Sequence, residues 1–175
     1  MTRGYGAAPG QEYPSQLSAL LGVPVTNAGR DGDTTASALA RINEDVLVHH
    51  PRLVIVELGG NDRLNKLPPA QTVANLDRIV QACQGAGAMV VLVHAKFGIW
   101  SDPYWDGFEK ISKERGVLIV KKVLSGILAN PKYMYDQIHP NTAGYGMVAK
   151  RVAEVVRPLL EAADAERAEA AGAGS

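Results

Sequence analysis

The chain has 175 residues, long enough for one domain with a sizeable core, and its 18 basic and 18 acidic side chains cancel to a net charge of zero. The absence of a basic cluster argues against nucleic acid as the main partner. One cysteine, Cys83, excludes an internal disulfide framework, and four histidines without helical ligand spacing at His49-His50 argue against a metal site.

Glycine and proline punctuation divides the chain into alternating helix-like and strand-like pieces. It opens on "MTRGYG", which is loop chemistry with no strand ahead of it. "PSQLSALLG" predicts a helix ended by Gly22, and "VPVTNAG" a short strand at 23–28. "TTASALARINEDVLVHH" is helical, with Ala38, Ile42 and Val46 recurring on one face. "RLVIVELGG" is a continuous apolar run, as expected of a strand at 52–58 covered on both faces. "PAQTVANLDRIVQACQGAG" predicts a helix that packs Cys83, and "AMVVLVHA" a second buried strand carrying His94, read as a core histidine bonded to backbone. "YWDGFEKISKERG" predicts a helix ending at Gly116, followed by the short strand "VLIV". The last helix, "NTAGYGMVAKRVAEVVRPLL", is expected to kink or end at Pro158, which lacks an N–H. The domain is expected over 1–162, and the Ala/Glu/Gly-rich segment 163–175 is expected to fray into a disordered tail.

Such alternation implies an α/β domain with a parallel sheet and helices on both faces. Three segments at predicted strand or loop ends concentrate chemistry: "NAGRDGDTT" at 27–35, "ELGGND" at 57–62 and "YDQIHPN" at 135–141. In a parallel sheet such loops gather along one edge, where ligands bind. Asp136 and His139 suit a carboxylate–imidazole pair, in which the carboxylate fixes the ring and frees its other nitrogen as a base. An Asx-turn before a helix is the plainer reading of the same residues. Asn61 and the Gly32 N–H can donate to a developing oxyanion, and Gly60 lets backbone approach a ligand. A tight turn and helix N-capping explain those residues equally well taken singly.

Taken in order, these blocks resemble the GDSL or SGNH hydrolase superfamily, a flavodoxin-like α/β/α sandwich of ester and thioester hydrolases. "MTRGYG" is similar to the second half of its Gly-Asp-Ser-x-Thr-x-Gly-Tyr-Gly block; Gly32 resembles its oxyanion glycine, Gly59 to Asp62 its Gly-x-Asn-Asp block, and Asp136, His139 and Pro140 its Asp-x-x-His-Pro block. The resemblance runs from Met1 to about Leu160. It implies His139 and Asp136 as catalytic residues, Gly32 and Asn61 as the oxyanion hole, no cofactor, and a small acyl ester or thioester as substrate. It also implies a first β-strand and a nucleophilic serine immediately before Met1, both absent from this sequence. A start site set too late in the reading frame and a true loss of the serine are the two accounts of that gap.

No replacement nucleophile is evident. Ser15, Ser18 and Ser37 lie on predicted helices, and Ser101 lies in a loop without the sharp strand-to-helix turn that exposes a nucleophile. Trp100 and Tyr104, with Trp105 and Phe108, either line an acyl or aryl pocket or pack a helix onto the sheet. A non-catalytic binding protein of the same fold, and a flavodoxin-like phosphate binder using "GRDGDTT", are the alternative functions. No membrane insertion is expected. The compartment reads as cytoplasmic if the N-terminus is complete, and as secreted or periplasmic if an upstream segment is missing. The missing strand is expected to lie between those at 23–28 and 52–58, which should then close on each other or recruit a strand from elsewhere.

Overall fold

The computed structural model describes residues 1–96 and 102–172. Among these, three parallel strands form a sheet in the order β1 (Leu53–Val56), β2 (Met89–Val93), β3 (Leu118–Val120). The central strand shows why the runs are apolar throughout. Val91 and Val93 enter one buried cluster, Val90 and Leu92 the other. With side chains alternating between faces, both faces must be covered.

The helices supply that cover. α1 (Tyr13–Leu21) and α6 (Thr142–Gly172) bury Leu17, Tyr145, Val148, Val152 and Val156 against one face. α2 (Thr35–Asp45), α4 (Pro69–Gly85) and α5 (Trp105–Arg115) bury Ile42, Leu76, Ile79, Val80, Cys83 and Phe108 against the other. This is the expected α/β/α sandwich. α1 and α5 end at Gly22 and Gly116, both in the left-handed conformation that glycine adopts without strain. α2 begins with a reciprocal cap between Thr34 and Ser37.

One feature departs from expectation. The segment 23–28 is not a strand: residues 24–27 make no backbone–backbone hydrogen bond among the described residues. Extended chain becomes a strand only beside a ladder partner, and here a cleft of about 1110 Å³ separates it from β1. Among the described residues the two segments neither pair with each other nor with another part of the chain in the gap between them. Pro158 lies inside α6 without ending it. Arg52 holds the helix beyond that point, donating to the Leu160 carbonyl at 3.2 Å and pairing with Asp164 at 2.6 Å. α6 also continues through 163–172, where its side chains beyond Ala163 are exposed.

The loop after β1 folds into a short helix, α3 (Gly60–Leu64), whose Asp62 is fully buried. Its carboxylate accepts from the Thr35 N–H at 2.9 Å, from the Thr35 hydroxyl, and from the Thr72 hydroxyl at 3.1 Å. One side chain thus ties α2, α3 and α4 together. We expect Asp62→Ala to leave three buried donors without an acceptor, each costing about 1–3 kcal/mol. Urea unfolding should show stability lowered by about 3 kcal/mol or more at an unchanged slope. An unshifted midpoint would mean that the network contributes nothing net.

Candidate active site

The loop 133–141 places the carboxylate–imidazole pair. It closes on itself through an antiparallel bridge between Met134 and Pro140, with the Tyr135 N–H donating to the His139 carbonyl at 2.8 Å. Asn141 secures its far end. The Asn141 side chain accepts from the Gly144 N–H at 3.0 Å, which caps α6, and its amide donates to the Lys132 carbonyl at 3.0 Å. Gly144 is required here, because a Cβ would lie 2.2 Å from the Tyr133 carbonyl oxygen.

Within this frame Asp136 turns back on the chain. One carboxylate oxygen accepts from the N–H groups of Ile138 and His139 at 2.8 and 2.7 Å. The other lies 2.8 Å from His139 Nδ1. The hydrogen bond from His139, followed by that from the Ile138 backbone, lowers the Asp136 pKa to about 2. The Asx-turn is therefore present together with the carboxylate–imidazole pair, and it is what aims the carboxylate. His139 Nε2 has no hydrogen-bond partner among the described residues, and the ring packs 4.8 Å from that of Tyr5.

Gly32 and Asn61 come from segments far apart in sequence, and a hydrogen bond to the neighbouring residue joins them. Asn61 Nδ2 donates at 2.8 Å to the carbonyl of Asp33, the residue after Gly32. Arg41 on α2 clamps the Gly32 loop by pairing with Asp33 and donating to the Ala28 carbonyl at 2.8 Å. Gly32 has φ +78° and open space where a Cβ would be, so its backbone is bare toward the cleft. Gly32, Gly60, Asn61 and His139 all line the same cleft, with Met1 and Glu57 beside them.

The opening segment is bound into the site rather than loose. The Thr2 hydroxyl donates to Glu57 at 2.5 Å, the Thr2 carbonyl accepts from Asn27 at 2.8 Å, and the Tyr145 hydroxyl donates to the Tyr5 carbonyl at 2.9 Å. Enclosure raises the Glu57 pKa above its ordinary value, opposed by hydrogen bonding from Thr2. Glu57 carries no distinguishing signal in the sequence beyond being a charge inside an apolar run.

The aromatic expectations fare differently. Tyr104 does not reach the main cleft. It is 7% exposed, packs in the α4–α5 core and lines a small second pocket together with Gly59 and Gly60. Its apolar ring caps the core where α5 begins, so helix packing rather than pocket lining accounts for it. Trp100 lies outside the described residues. His94 is buried as expected but bonds to a carboxylate, not to backbone: Nε2 lies 2.7 Å from Asp102. No sequence pattern links these two residues.

Comparison with known proteins agrees with this geometry. The GDSL-like lipase/acylhydrolase family matches residues 1–147. An arylesterase of Vibrio mimicus is 32% identical over 171 residues, covering 91% of this chain and 86% of that protein. Thioesterase 1/protease 1/lysophospholipase L1 of Escherichia coli K12 is 30% identical over 168 residues, covering 91% and 81%. The crystal structure of TesA superposes with a TM-score of 0.78 at 28% identity, covering 87% of this chain and 91% of that one. The fold, the order of the motif blocks and these matches together show that the chain belongs to the GDSL-like (SGNH) lipase/acylhydrolase family.

Proposed function

We propose that this site hydrolyses small carboxylic esters or thioesters by a serine–His139–Asp136 mechanism, the serine being carried on a segment ahead of Met1. The observation that carries the reading is the His139–Asp136 pair at the mouth of a cleft that also holds Gly32 and Asn61. The names of the relatives support the substrate class: arylesterase, thioesterase and lysophospholipase.

In this mechanism His139 Nε2 takes the proton from the serine hydroxyl as its oxygen bonds to the substrate carbonyl carbon. Asp136 stays ionised and holds the ring, stabilising the imidazolium that forms. The carbonyl oxygen becomes an oxyanion and receives hydrogen bonds from the Gly32 N–H and from Asn61, whose second amide hydrogen is not used in the bond to Asp33. Collapse of the intermediate expels the alcohol or thiol with the proton from His139. Water then releases the acyl group by the same route. Ile138 and Leu64, 38% and 63% exposed on the cleft lining, offer apolar surface to the acyl or leaving group.

The chain as it stands should turn over p-nitrophenyl acetate poorly, because loss of a triad serine costs on the order of a million-fold in kcat. A version preceded by an apolar strand and Gly-Asp-Ser should be active, and His139→Ala should abolish that activity. Robust turnover by the unextended chain that His139→Ala removes would show a different nucleophile. An extended chain that binds esters without hydrolysing them would favour the non-catalytic reading.

In the extended enzyme, Asn61→Ala should lower kcat by about a hundred- to a thousand-fold with little change in KM. A full kcat with a raised KM would assign Asn61 to substrate binding alone.

The Asp136 carboxyl should titrate with a midpoint of about 2 by carbon NMR. In His139→Ala the midpoint should move up toward about 3.9, the ordinary aspartate value. Because the folded pKa is the lower one, the stabilisation it gives is complete above the ordinary value and is lost as pH falls toward 2. A midpoint that does not move in His139→Ala would mean that the turn's N–H donors alone hold the charge.

A further inference from the structure

We infer that Glu57 is a positioning residue of this site: by accepting a hydrogen bond from Thr2 it holds residues 2–6, and the Tyr5 ring among them, against His139. Its effect on turnover rests on the serine–His139–Asp136 reading above; its effect on geometry does not. A carboxylate directly after the apolar strand β1 needs a partner, since a charge withdrawn from water is costly unless it is paired or hydrogen-bonded. Glu57 is partly buried in the cleft wall and accepts from the Thr2 hydroxyl at 2.5 Å. That length is in the range of charge-assisted O–H···O bonds, which are about twice as strong as neutral ones. Two buried phenols lie close by: burial raises the pKa of Tyr13 and of Tyr145, and the Glu57 charge raises both further. Tyr13 belongs to α1 and Tyr145 to α6. Glu57 therefore sits where the end of β1, the α1–α6 layer and the opening segment meet.

From Thr2 the constraint passes along the chain to His139. The Thr2 carbonyl accepts from Asn27 Nδ2 at 2.8 Å, and Asn27 Oδ1 accepts from the Gly29 N–H at 3.0 Å. The hydroxyl thus ties Thr2 to β1 and the carbonyl ties it to the 27–29 loop. Two successive turns follow, with the Gly4 N–H donating to the Met1 carbonyl at 2.8 Å and the Ala7 N–H to the Gly4 carbonyl at 3.0 Å. They make the segment compact, so a shift at Thr2 is carried to Tyr5. The Tyr5 ring lies 4.8 Å from that of His139 and 5.6 Å, edge-on, from that of Tyr135. Tyr5 is 54% exposed, so its place over His139 depends on how its backbone is held rather than on burial of its ring. At Gly6, φ is +91° and a Cβ would lie 2.6 Å from Tyr135 Cβ, so the segment lies directly on the loop that carries Asp136 and His139. With the serine carried just ahead of this segment, the bond that places Tyr5 also places the nucleophile. Misplacing a reacting group by about 1 Å can cost about a hundred-fold in rate.

The test has two arms. The first uses the 175-residue chain and needs no turnover. Nuclear Overhauser contacts between the Tyr5 and His139 rings should be present in the parent and in Glu57→Gln, whose side-chain carbonyl still accepts from Thr2. They should be lost in Glu57→Ala, and in Thr2→Val, which keeps the side-chain shape and removes the donor. Contacts that survive in either of these two, or that are lost in Glu57→Gln, would overturn the proposal. Should Glu57→Ala not fold, Thr2→Val decides alone. The second arm uses the chain extended by a strand and Gly-Asp-Ser. There Glu57→Ala and Thr2→Val should each lower kcat about a hundred-fold with KM little changed, and Glu57→Gln should restore it. The double variant should lose no more than either single one, because both remove the same bond. Additive losses would overturn the proposal, since the two residues would then act separately. A general loss of stability moves neither the ring contacts of a folded variant nor the split between kcat and KM. An extended parent without turnover would refute the serine mechanism and leave the ring contacts to decide the role of Glu57.

Discussion

Burial of the parallel sheet on both faces is the constraint around which the rest of this molecule is arranged. A buried strand needs backbone partners on both edges and side-chain contacts on both faces. β1 has the second from its helical layers and only half of the first, from β2. α1 and α6 cover one face of the sheet and α2 covers part of the other. α6 is buried along Tyr145, Val148, Val152 and Val156, and α2 is tied down by Asp62 through Thr35.

The same geometry makes the site. Gly32, Asn61 and His139 come from three loops far apart in sequence, and each is fixed by polar bonds of its own. Arg41 clamps the Gly32 loop, Asn61 bonds to the next peptide of that loop, and Asp136 bonds both the backbone and the ring of His139. Preorganised donors and a preoriented ring are what acyl transfer requires, since charge that develops in the transition state must find its partners already in place. The segment "MTRGYG" adds the remaining wall. Tyr5 packs on His139, and Thr2 reaches Glu57.

Much of this was legible in the sequence, for identifiable reasons. Apolar runs such as "LVIV" and "MVVLV" could only be strands covered on two faces, and the glycines at 22 and 116 marked helix ends by their conformational freedom. The Asp136–His139 pair was readable because three residues in a turn bring the two side chains together locally. The segment 23–28 was misread because pairing, unlike helix formation, is a property of two segments, and no described residue pairs with it. Pro158 does not end the last helix, and Arg52, more than a hundred residues away, bonds to the helix beyond it. The Arg41–Asp33 clamp and the His94–Asp102 pair had no periodic signature at all. Tyr104 illustrates the limit of composition: an aromatic-rich segment after a strand describes a core edge as well as a pocket.

The most direct measurement is covalent trapping in the chain extended by an apolar strand and Gly-Asp-Ser ahead of Met1. Diethyl p-nitrophenyl phosphate should lose p-nitrophenolate as the serine oxygen bonds to phosphorus, with the proton passing to His139. Mass spectrometry should then find one diethylphosphoryl group on that serine, and none in the extended His139→Ala protein. Labelling of that serine at an equal rate without His139, or labelling at another residue, would contradict the assignment of this cleft as a serine–His139–Asp136 site.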